Sequence, residues 1–241
     1  MDGYIDIHNH SMFETDDGAK SMEESVEMLC MAYEDGIRGI ILTPHAHYRK
    51  GRAAPEEIRE KTAWLKERIK DRCPGLRLYP GNELYFDSDM PDKIEYGEVC
   101  RLAESNYVLV EFSPQAEFLK IKKACHEILC LGITPILAHV ERQECLYEQK
   151  DRAAWLWDMG VCFQANAAGV LGENGGKEKG FLKRLLRKGY LQFIATDAHD
   201  TRERPPLLSK CMAYVTKKYG EKTAAECFIK NPMRILKNEV I

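Results

Sequence analysis

The chain has 241 residues, of which 44% are hydrophobic and 30% charged, with a formal net charge of −3. That size can bury a full core as one domain, and the near-neutral charge gives no support for a nucleic-acid partner. The nine cysteines are scattered and include no CxxC pair, so reduced thiols fit better than a disulfide framework. No apolar run approaches the roughly 20 residues of a membrane span. We therefore expect a cytoplasmic protein without a signal peptide or membrane insertion.

Seven apolar, strand-like runs alternate with amphipathic, helix-like segments. The predicted strands are Tyr4–His8, Gly39–Leu42, Leu76–Tyr79, Tyr107–Glu111, Thr134–His139, Val161–Asn166 and Leu191–Thr196. The predicted helices open at Ser21 and Pro55 and continue with Phe118–Leu131, Asp151–Met159, Lys179–Lys188, Leu207–Tyr219 and Glu221–Ile229. Several strands are continuously apolar, as parallel strands covered on both faces are. The alternation predicts an α/β parallel barrel and one domain over residues 1–241.

Two of the helices have recognisable starts. Ser21 and Glu24 form a capping-box pattern, in which the hydroxyl and the carboxylate satisfy exposed amides of the first turn. Pro55 suits the first position of the next helix, which is expected to run to about Arg72. With Trp64, that helix could serve a homo-oligomer interface or the barrel wall, and the sequence leaves both open.

Imidazole and carboxylate side chains end or closely follow most of the predicted strands. The candidate metal ligands are His8, His10, Asp17, His45, Glu83, Glu111, His139, Asp197 and His199. In βα barrels the chemistry gathers where the strands end, so these side chains are expected to meet at one rim. The set is larger than one ion needs, and its mixture of nitrogen and oxygen ligands suits Zn, Mn, Fe or Co. The sequence therefore predicts a multinuclear metal site; the alternative is a network of ion pairs closing the barrel.

For three positions in or near this set the sequence leaves an alternative open. Asp17 follows Asp16, and the sequence does not say which of the two faces inward. Glu83 lies just beyond its strand, where an ordinary loop carboxylate is also found. His47 lies two residues beyond His45 and is assigned a loop or substrate-side role rather than a ligand role.

Three basic residues follow candidate ligands closely in the sequence. They are Lys20, Arg142 and Arg204. Because guanidinium groups match phosphate oxygens in a bidentate fashion, arginines beside a metal cluster suggest a phosphoester substrate. Charge balance for the surplus carboxylates explains them equally well before any family is considered.

The motifs together resemble the PHP (polymerase and histidinol phosphatase) superfamily, and within it the bacterial manganese-dependent protein-tyrosine phosphatases of capsule and exopolysaccharide operons. The motifs are Ile5-Asp6-Ile7-His8-Asn9-His10, Asp16-Asp17-Gly18-Ala19-Lys20-Ser21, Thr43-Pro44-His45, Gly81-Asn82-Glu83, Val110-Glu111-Phe112, Ala138-His139-Val140-Glu141-Arg142, Thr196-Asp197-Ala198-His199 and Arg204-Pro205-Pro206. The second and sixth motifs separate this branch from other PHP phosphatases best. The resemblance covers nearly the whole chain.

The resemblance implies a distorted (β/α)7 TIM-like barrel that holds three metal ions, Mn²⁺ or else Fe, Zn or Co. Carried over by position, it implies three ligand sets: His8, His10, Glu83 and Asp197; Glu83, Glu111 and His139; and Asp17, His45 and His199. Asn9 and Ala46 depart from the family pattern.

The implied activity is metal-assisted hydrolysis of phosphotyrosine, with Arg142, Arg204 and Lys20 neutralising the phosphoryl group. The implied partner is the phosphotyrosine tail of a bacterial tyrosine autokinase that regulates capsular or exopolysaccharide synthesis.

Two other functions remain open. A PHP small-molecule phosphatase, such as histidinol-phosphate phosphatase, would use the same ligands, and a metal-stabilised scaffold would keep them without turnover. A thiol-based tyrosine phosphatase is excluded, because that chemistry needs Cys-x5-Arg and none of the nine cysteines has an arginine six positions later.

Overall fold

The computed structural model describes residues 3–47, 51–149 and 151–241. Its strands are β1 (Tyr4–Asn9), β2 (Ile37–Leu42), β3 (His45–His47), β4 (Gly51–Arg52), β5 (Arg77–Pro80), β6 (Glu83–Tyr85), β7 (Tyr107–Glu111), β8 (Thr134–Leu137), β9 (Cys162–Asn166) and β10 (Phe193–Ala195). Its α-helices are α1 (Met22–Glu34), α2 (Pro55–Ile69), α3 (Met90–Glu95), α4 (Phe118–Cys130), α5 (Glu144–Glu148), α6 (Arg152–Asp158), α7 (Ala167–Leu171), α8 (Gly176–Lys188), α9 (Ser209–Tyr219), α10 (Glu221–Ala225) and α11 (Asn231–Lys237). A π-helical segment, Glu226–Lys230, joins the last two.

The strands form two hydrogen-bonded sheets that together make a distorted barrel. One sheet has the order β1-β2-β5, and the other has the order β10-β9-β8-β7-β6-β3-β4. Neighbouring strands are parallel except for the short β3–β4 pair, which is antiparallel. A parallel bridge between Asn9 and Ala198 joins the end of β1 to the chain just after β10. The predicted α/β barrel class is confirmed.

Two of the seven barrel strands extend beyond the predicted segments, and each is interrupted in its middle. The chain of β2 resumes as β3 after Thr43 and Pro44, and that of β5 resumes as β6 after Gly81 and Asn82. Pro44 has no N–H for a sheet ladder. A Cβ at Gly81 would lie 2.8 Å from Ile41 Cγ2, so a side chain does not fit there. The sequence analysis predicted only the first half of each strand, and the second halves carry His45 and Glu83.

The side chain of Asn82 stabilises the two strand breaks through hydrogen bonds to the backbone. Its Nδ2 donates to the carbonyl oxygen of Pro44 at 2.9 Å, and its Oδ1 accepts from Cys100 N at 2.8 Å. Glu83 N also donates to the Pro44 oxygen, at 3.2 Å. Because β3 and β6 then pair in register, His45 lies directly beside Glu83. The distortion of the barrel therefore brings two candidate ligands together.

Side-chain alternation along β7 shows how the interior changes from apolar to polar. Leu109 is fully buried in an apolar cluster that draws residues from β1, β2, β7, β8, β9 and β10. Glu111 lies two residues further along and therefore on the same side of the strand. The interior is thus apolar up to Leu109 and polar at the end where the strands finish, which we call the barrel mouth.

The helices cover the outside of the barrel. Ser21 Oγ accepts from Glu24 N at 3.2 Å, and Glu24 Oε2 accepts from Lys20 N at 2.8 Å, so the predicted capping pattern is present with its return bond one residue earlier. Helix α2 ends at Ile69, before the predicted Arg72, and forms barrel wall, although its Trp64 is 54% exposed.

Several short helices were not predicted, and the predicted helices differ at their ends. The unpredicted ones are α3, α5, α7 and α11. The predicted segment 221–229 is α10 followed by the π-helical residues. All nine cysteines carry free thiols. Within the described residues, every helix is too short or too polar to cross a bilayer.

Candidate metal centre

Four ligand atoms from distant parts of the chain meet at the barrel mouth. His8 Nε2 lies 3.2 Å from His10 Nε2, 3.3 Å from Glu83 Oε2 and 3.3 Å from Asp197 Oδ1. His10 Nε2 lies 3.4 Å from the same Glu83 oxygen and 3.5 Å from the same Asp197 oxygen. In a regular tetrahedron such edges place the centre about 2.0–2.1 Å from each corner, the length of metal–nitrogen and metal–oxygen bonds. The atoms of His8, His10 and Asp197 therefore lie close enough to hold a single ion, and Glu83 Oε2 lies beside two of them.

The other two implied ligand sets are also brought together. His139 Nε2 lies 2.9 Å from Glu83 Oε1 and 3.5 Å from Glu111 Oε1. Asp17 Oδ1 lies 3.2 Å from His45 Nε2 and 3.5 Å from His199 Nε2. Glu83 thus belongs to the first two sets through its two oxygens, and the three sets form one continuous cluster.

Buried polar atoms in the cluster are left for a further partner. Glu83 Oε2 is buried and accepts no hydrogen bond of ordinary geometry from the described residues, although His45 Nδ1 lies 2.9 Å away. His139 Nδ1 is also buried and has no hydrogen-bond partner among the described residues. Such atoms are costly in an interior unless an ion or water satisfies them.

The charge of the cluster points to cations as well. Among the described residues, five carboxylates meet there with two guanidiniums. The residues present therefore fit a multinuclear metal centre.

The pKa values of the cluster show how strongly it attracts positive charge. Burial opposes ionisation of Glu83 and Asp197, but the neighbouring imidazoles, His8 foremost, hold the pKa of both carboxyls well below the ordinary value. Burial likewise opposes a charged His45, but the nearby carboxylates of Asp17 and Glu83 raise its pKa to about 9. At neutral pH the metal-free cluster thus holds protons where divalent ions would displace them.

A supporting shell that sequence reasoning missed orients the imidazoles. Asp16, not Asp17, is the buried partner: its Oδ2 lies 2.8 Å from His10 Nδ1 and accepts from His45 N at 2.8 Å. Gln164 Oε1 lies 3.1 Å from His8 Nδ1 and accepts from His139 N at 2.8 Å. Carboxylate or amide oxygens on the outer ring nitrogen fix the tautomer and leave the inner nitrogen for a metal.

Two candidate ligands are held in an unusual backbone conformation. His139 has φ 30° and Asp197 has φ 54°, both in the left-handed region that non-glycine residues seldom adopt. Each follows its strand, and His199 Nδ1 lies 2.9 Å from the Asp197 carbonyl oxygen. Strained residues of this kind persist where the surrounding structure fixes them, often at functional sites.

The two predicted arginines lie at the edge of the cluster, and the predicted lysine does not contact it. Arg204 Nη2 lies 2.6 Å, and Arg142 Nη2 3.1 Å, from Asp197 Oδ2. Asn166 Nδ2 donates to the same oxygen at 2.7 Å. Lys20 is exposed, and no ion pair joins its ammonium to the cluster within the described residues. Asp197 therefore faces the ligands with one oxygen and the arginines with the other.

A cluster of candidate metal ligands at the C-terminal rim of a βα barrel, with cationic side chains beside it, is typical of a metal-dependent hydrolase. The model of the family described as capsular polysaccharide synthesis, CpsB/CapC, matches residues 4–237. The chain belongs to this CpsB/CapC family, which confirms the resemblance indicated by its motifs.

Individual relatives agree with the family. The chain is similar to the tyrosine-protein phosphatase CpsB of Streptococcus agalactiae, with 36% identity over 98% of this chain and 100% of that protein. Its structure is also similar to a solved structure described under YwqE of Bacillus subtilis and CpsB of Streptococcus pneumoniae. Both of these proteins are described as metal-dependent tyrosine phosphatases. That match has a TM-score of 0.91 and 26% identity, and it covers 98% of this chain and 96% of the other.

A third match concerns the alternative function. The structure of histidinol phosphate phosphatase from Lactococcus lactis matches with a TM-score of 0.60 and 17% identity over 90% of this chain and 94% of that one. At that identity the likeness shows the fold alone.

Proposed function

We propose that the protein is a metal-dependent protein-tyrosine phosphatase, and that residues 1–241 act as one catalytic domain. The observation that carries the proposal is the continuous set of nine candidate ligands with two guanidiniums at its edge. The tyrosine phosphatases named among its relatives support the same activity. The histidinol-phosphate alternative has support only from the fold.

The side chains divide the work between holding ions and holding phosphate. Divalent ions bound in the cluster would supply a nucleophilic water at neutral pH and offset phosphoryl charge. Arg142 and Arg204 bind the non-bridging phosphoryl oxygens, since both guanidiniums converge on the outer side of Asp197, where a phosphate would arrive. Lys20 would assist only if the substrate brings its exposed ammonium inward.

The metal complement is proposed to be three ions of Mn²⁺, with Fe, Zn or Co as the alternatives. The three implied ligand sets, each brought together at the barrel mouth, support the number, and mixed imidazole and carboxylate ligation supports this group of metals. Elemental analysis of the purified protein tests both points.

The proposed substrate is the phosphotyrosine tail of a bacterial tyrosine autokinase, which places the protein in the cytoplasm as a regulator of capsular or exopolysaccharide synthesis. The family's description supports the connection with capsule synthesis. The free thiols of all nine cysteines are compatible with that compartment.

The test is phosphate release from a phosphotyrosine peptide after chelation and readdition of Mn²⁺, compared with release from histidinol phosphate. We expect Mn²⁺-dependent turnover of the peptide that collapses in His199→Ala and survives in His126→Ala, a control histidine that is exposed on α4. Preference for histidinol phosphate would favour the small-molecule phosphatase. Metal-loaded protein that turns over neither substrate would favour the scaffold.

A further inference from the structure

Two aromatic rings stand beside the candidate metal centre without belonging to it. The imidazole of His47 meets the ring of Tyr85 at a centroid distance of 4.4 Å and an interplanar angle of 73°. This is the edge-to-face arrangement that aromatic pairs prefer. Both residues are half-buried, so the pair lies at the surface of the barrel mouth and not in the core.

The strand register places this pair beyond His45 and Glu83 and puts Tyr85 opposite Glu111, at the outer side of the cluster. His45 pairs with Glu83, and Ala46 with Leu84, in two parallel strands. Since side chains alternate along a strand, Tyr85 lies on the same side as Glu83, while Leu84 is fully buried on the opposite side. Two residues advance a strand by about 7 Å, so the rings lie about that far beyond His45 and Glu83 towards solvent.

This height suits one kind of phosphomonoester. A phosphate that reaches the buried cluster carries its organic group upward, between the metal ligands and the solvent. In an aryl phosphate a flat ring is joined directly to the ester oxygen and occupies that level. In an alkyl phosphate such as phosphoserine, only a methylene group is available there.

We infer that Tyr85, supported by His47, forms an aromatic wall that receives the phenyl ring of the substrate and selects aryl over alkyl phosphates. The inference rests on the proposed phosphatase function and adds the residues that determine its specificity. Tyr85 acts by ring contact and His47 by holding the Tyr85 ring at its edge, so neither takes part in the bond-breaking step.

The test compares two peptides that differ only in carrying phosphotyrosine or phosphoserine. The variants are Tyr85→Leu, Tyr85→Phe and His47→Ala, with Tyr96→Leu as the matched control because Tyr96 is 75% exposed on another part of the surface. Metal content is measured for each variant, so that loss of ions is separated from loss of the wall.

We expect Tyr85→Leu to lower kcat/KM for the phosphotyrosine peptide about tenfold, mainly through KM, and to leave the slow phosphoserine reaction unchanged. Tyr85→Phe keeps the ring and should keep the preference, and His47→Ala should fall between them. An equal loss on both peptides, or an unchanged preference in Tyr85→Leu, would overturn the inference while leaving the phosphatase function intact. No turnover of either peptide by metal-loaded wild-type protein would overturn both.

A binding measurement gives a second readout that needs no turnover. Phenylphosphonate and methylphosphonate carry the same charged group, and calorimetry on the metal-loaded protein measures their affinities directly. The wild type should bind the phenyl compound more tightly, and Tyr85→Leu should reduce that advantage about tenfold. Equal affinity of the wild type for the two compounds would contradict an aromatic wall.

Discussion

Glu83→Gln is the substitution that tests the organisation of the metal centre most directly. Glu83 is fully buried, and its two oxygens approach four imidazoles: His45 and His139 at 2.9 Å, His8 at 3.3 Å and His10 at 3.4 Å. Glutamine keeps the shape of the side chain but removes its charge and replaces one acceptor oxygen with an NH2 donor. Because the carboxylate serves two ligand sets, its loss should weaken both together.

The size of the effect follows from the burial of the group. Removing one partner of a buried ion pair costs about 3–5 kcal/mol. That cost corresponds to roughly 10²- to 10⁴-fold weaker metal binding and a comparable fall in activity. His199 belongs to one group of possible ligands, with His10, Asp17 and His45, whereas Glu83 belongs to two, so His199→Ala should lose fewer ions than Glu83→Gln does.

The assay is metal content per chain after dialysis, with kcat/KM on a phosphotyrosine peptide and the melting temperature with and without chelator. Glu60→Gln, at an exposed position of α2, serves as the control. In Glu83→Gln the chelator should lower the melting temperature less than in the wild type, since fewer ions remain to be removed. A Glu83→Gln protein that keeps its full metal content would refute the bridging role of this carboxylate.

Three further predictions concern Arg204 at the edge of the ligand cluster, Lys61 on helix α2 and Gly81 at a strand break. Arg204→Lys should lower kcat/KM at least tenfold without loss of metal, because an ammonium cannot replace a bidentate guanidinium; unchanged kinetics would exclude a phosphate contact. Lys61→Met should lower metal occupancy, because the buried Lys61 ammonium donates to the carbonyl oxygens of Phe13 and Glu14, where the loop carrying Asp17 begins. The control Lys66→Met, at an exposed position of the same helix, should keep its metal, and metal analysis of both variants is the test. Gly81→Ala should destabilise the fold by about 1–3 kcal/mol through overpacking, while Gly180→Ala, in open space within α8, should stabilise it by about 0.5–1 kcal/mol; thermal unfolding would contradict us if the two shifts had the same sign.

The sequence predicted the fold class and assembled the ligand set because both depend on where strands end. Each of the nine candidates lies in the cluster, although their roles as ligands stay predictions. The sequence could not choose between Asp16 and Asp17, since the choice depends on the turn that carries them. Their environments in the structure differ: Asp16 binds the backbone N–H groups of Gly18 and His45, and Asp17 is 48% exposed.

The breaks in the strands and the supporting amides were missed for different reasons. A broken strand leaves apolar runs too short to recognise, and Pro44 and Gly81 were the available signals. Gln164 and Asn166 repeat the i, i+2 spacing of His8, on β1, and His10, just after it, at the end of another strand. Polar residues at that spacing could have indicated the shell, but amides are common in strands that bind nothing.

The spread of the candidate ligands along the chain has a consequence for the protein's lifetime in the cell. Ions held by residues as distant as His8 and His199 would act as cross-links that restrict the unfolded chain. Disulfides serve this role in other proteins, whereas the nine cysteines here are free thiols. The free energy of unfolding would then rise with the concentration of free metal. A cell short of that metal would lose not only the activity but, through proteolysis of the loosened barrel, the protein as well.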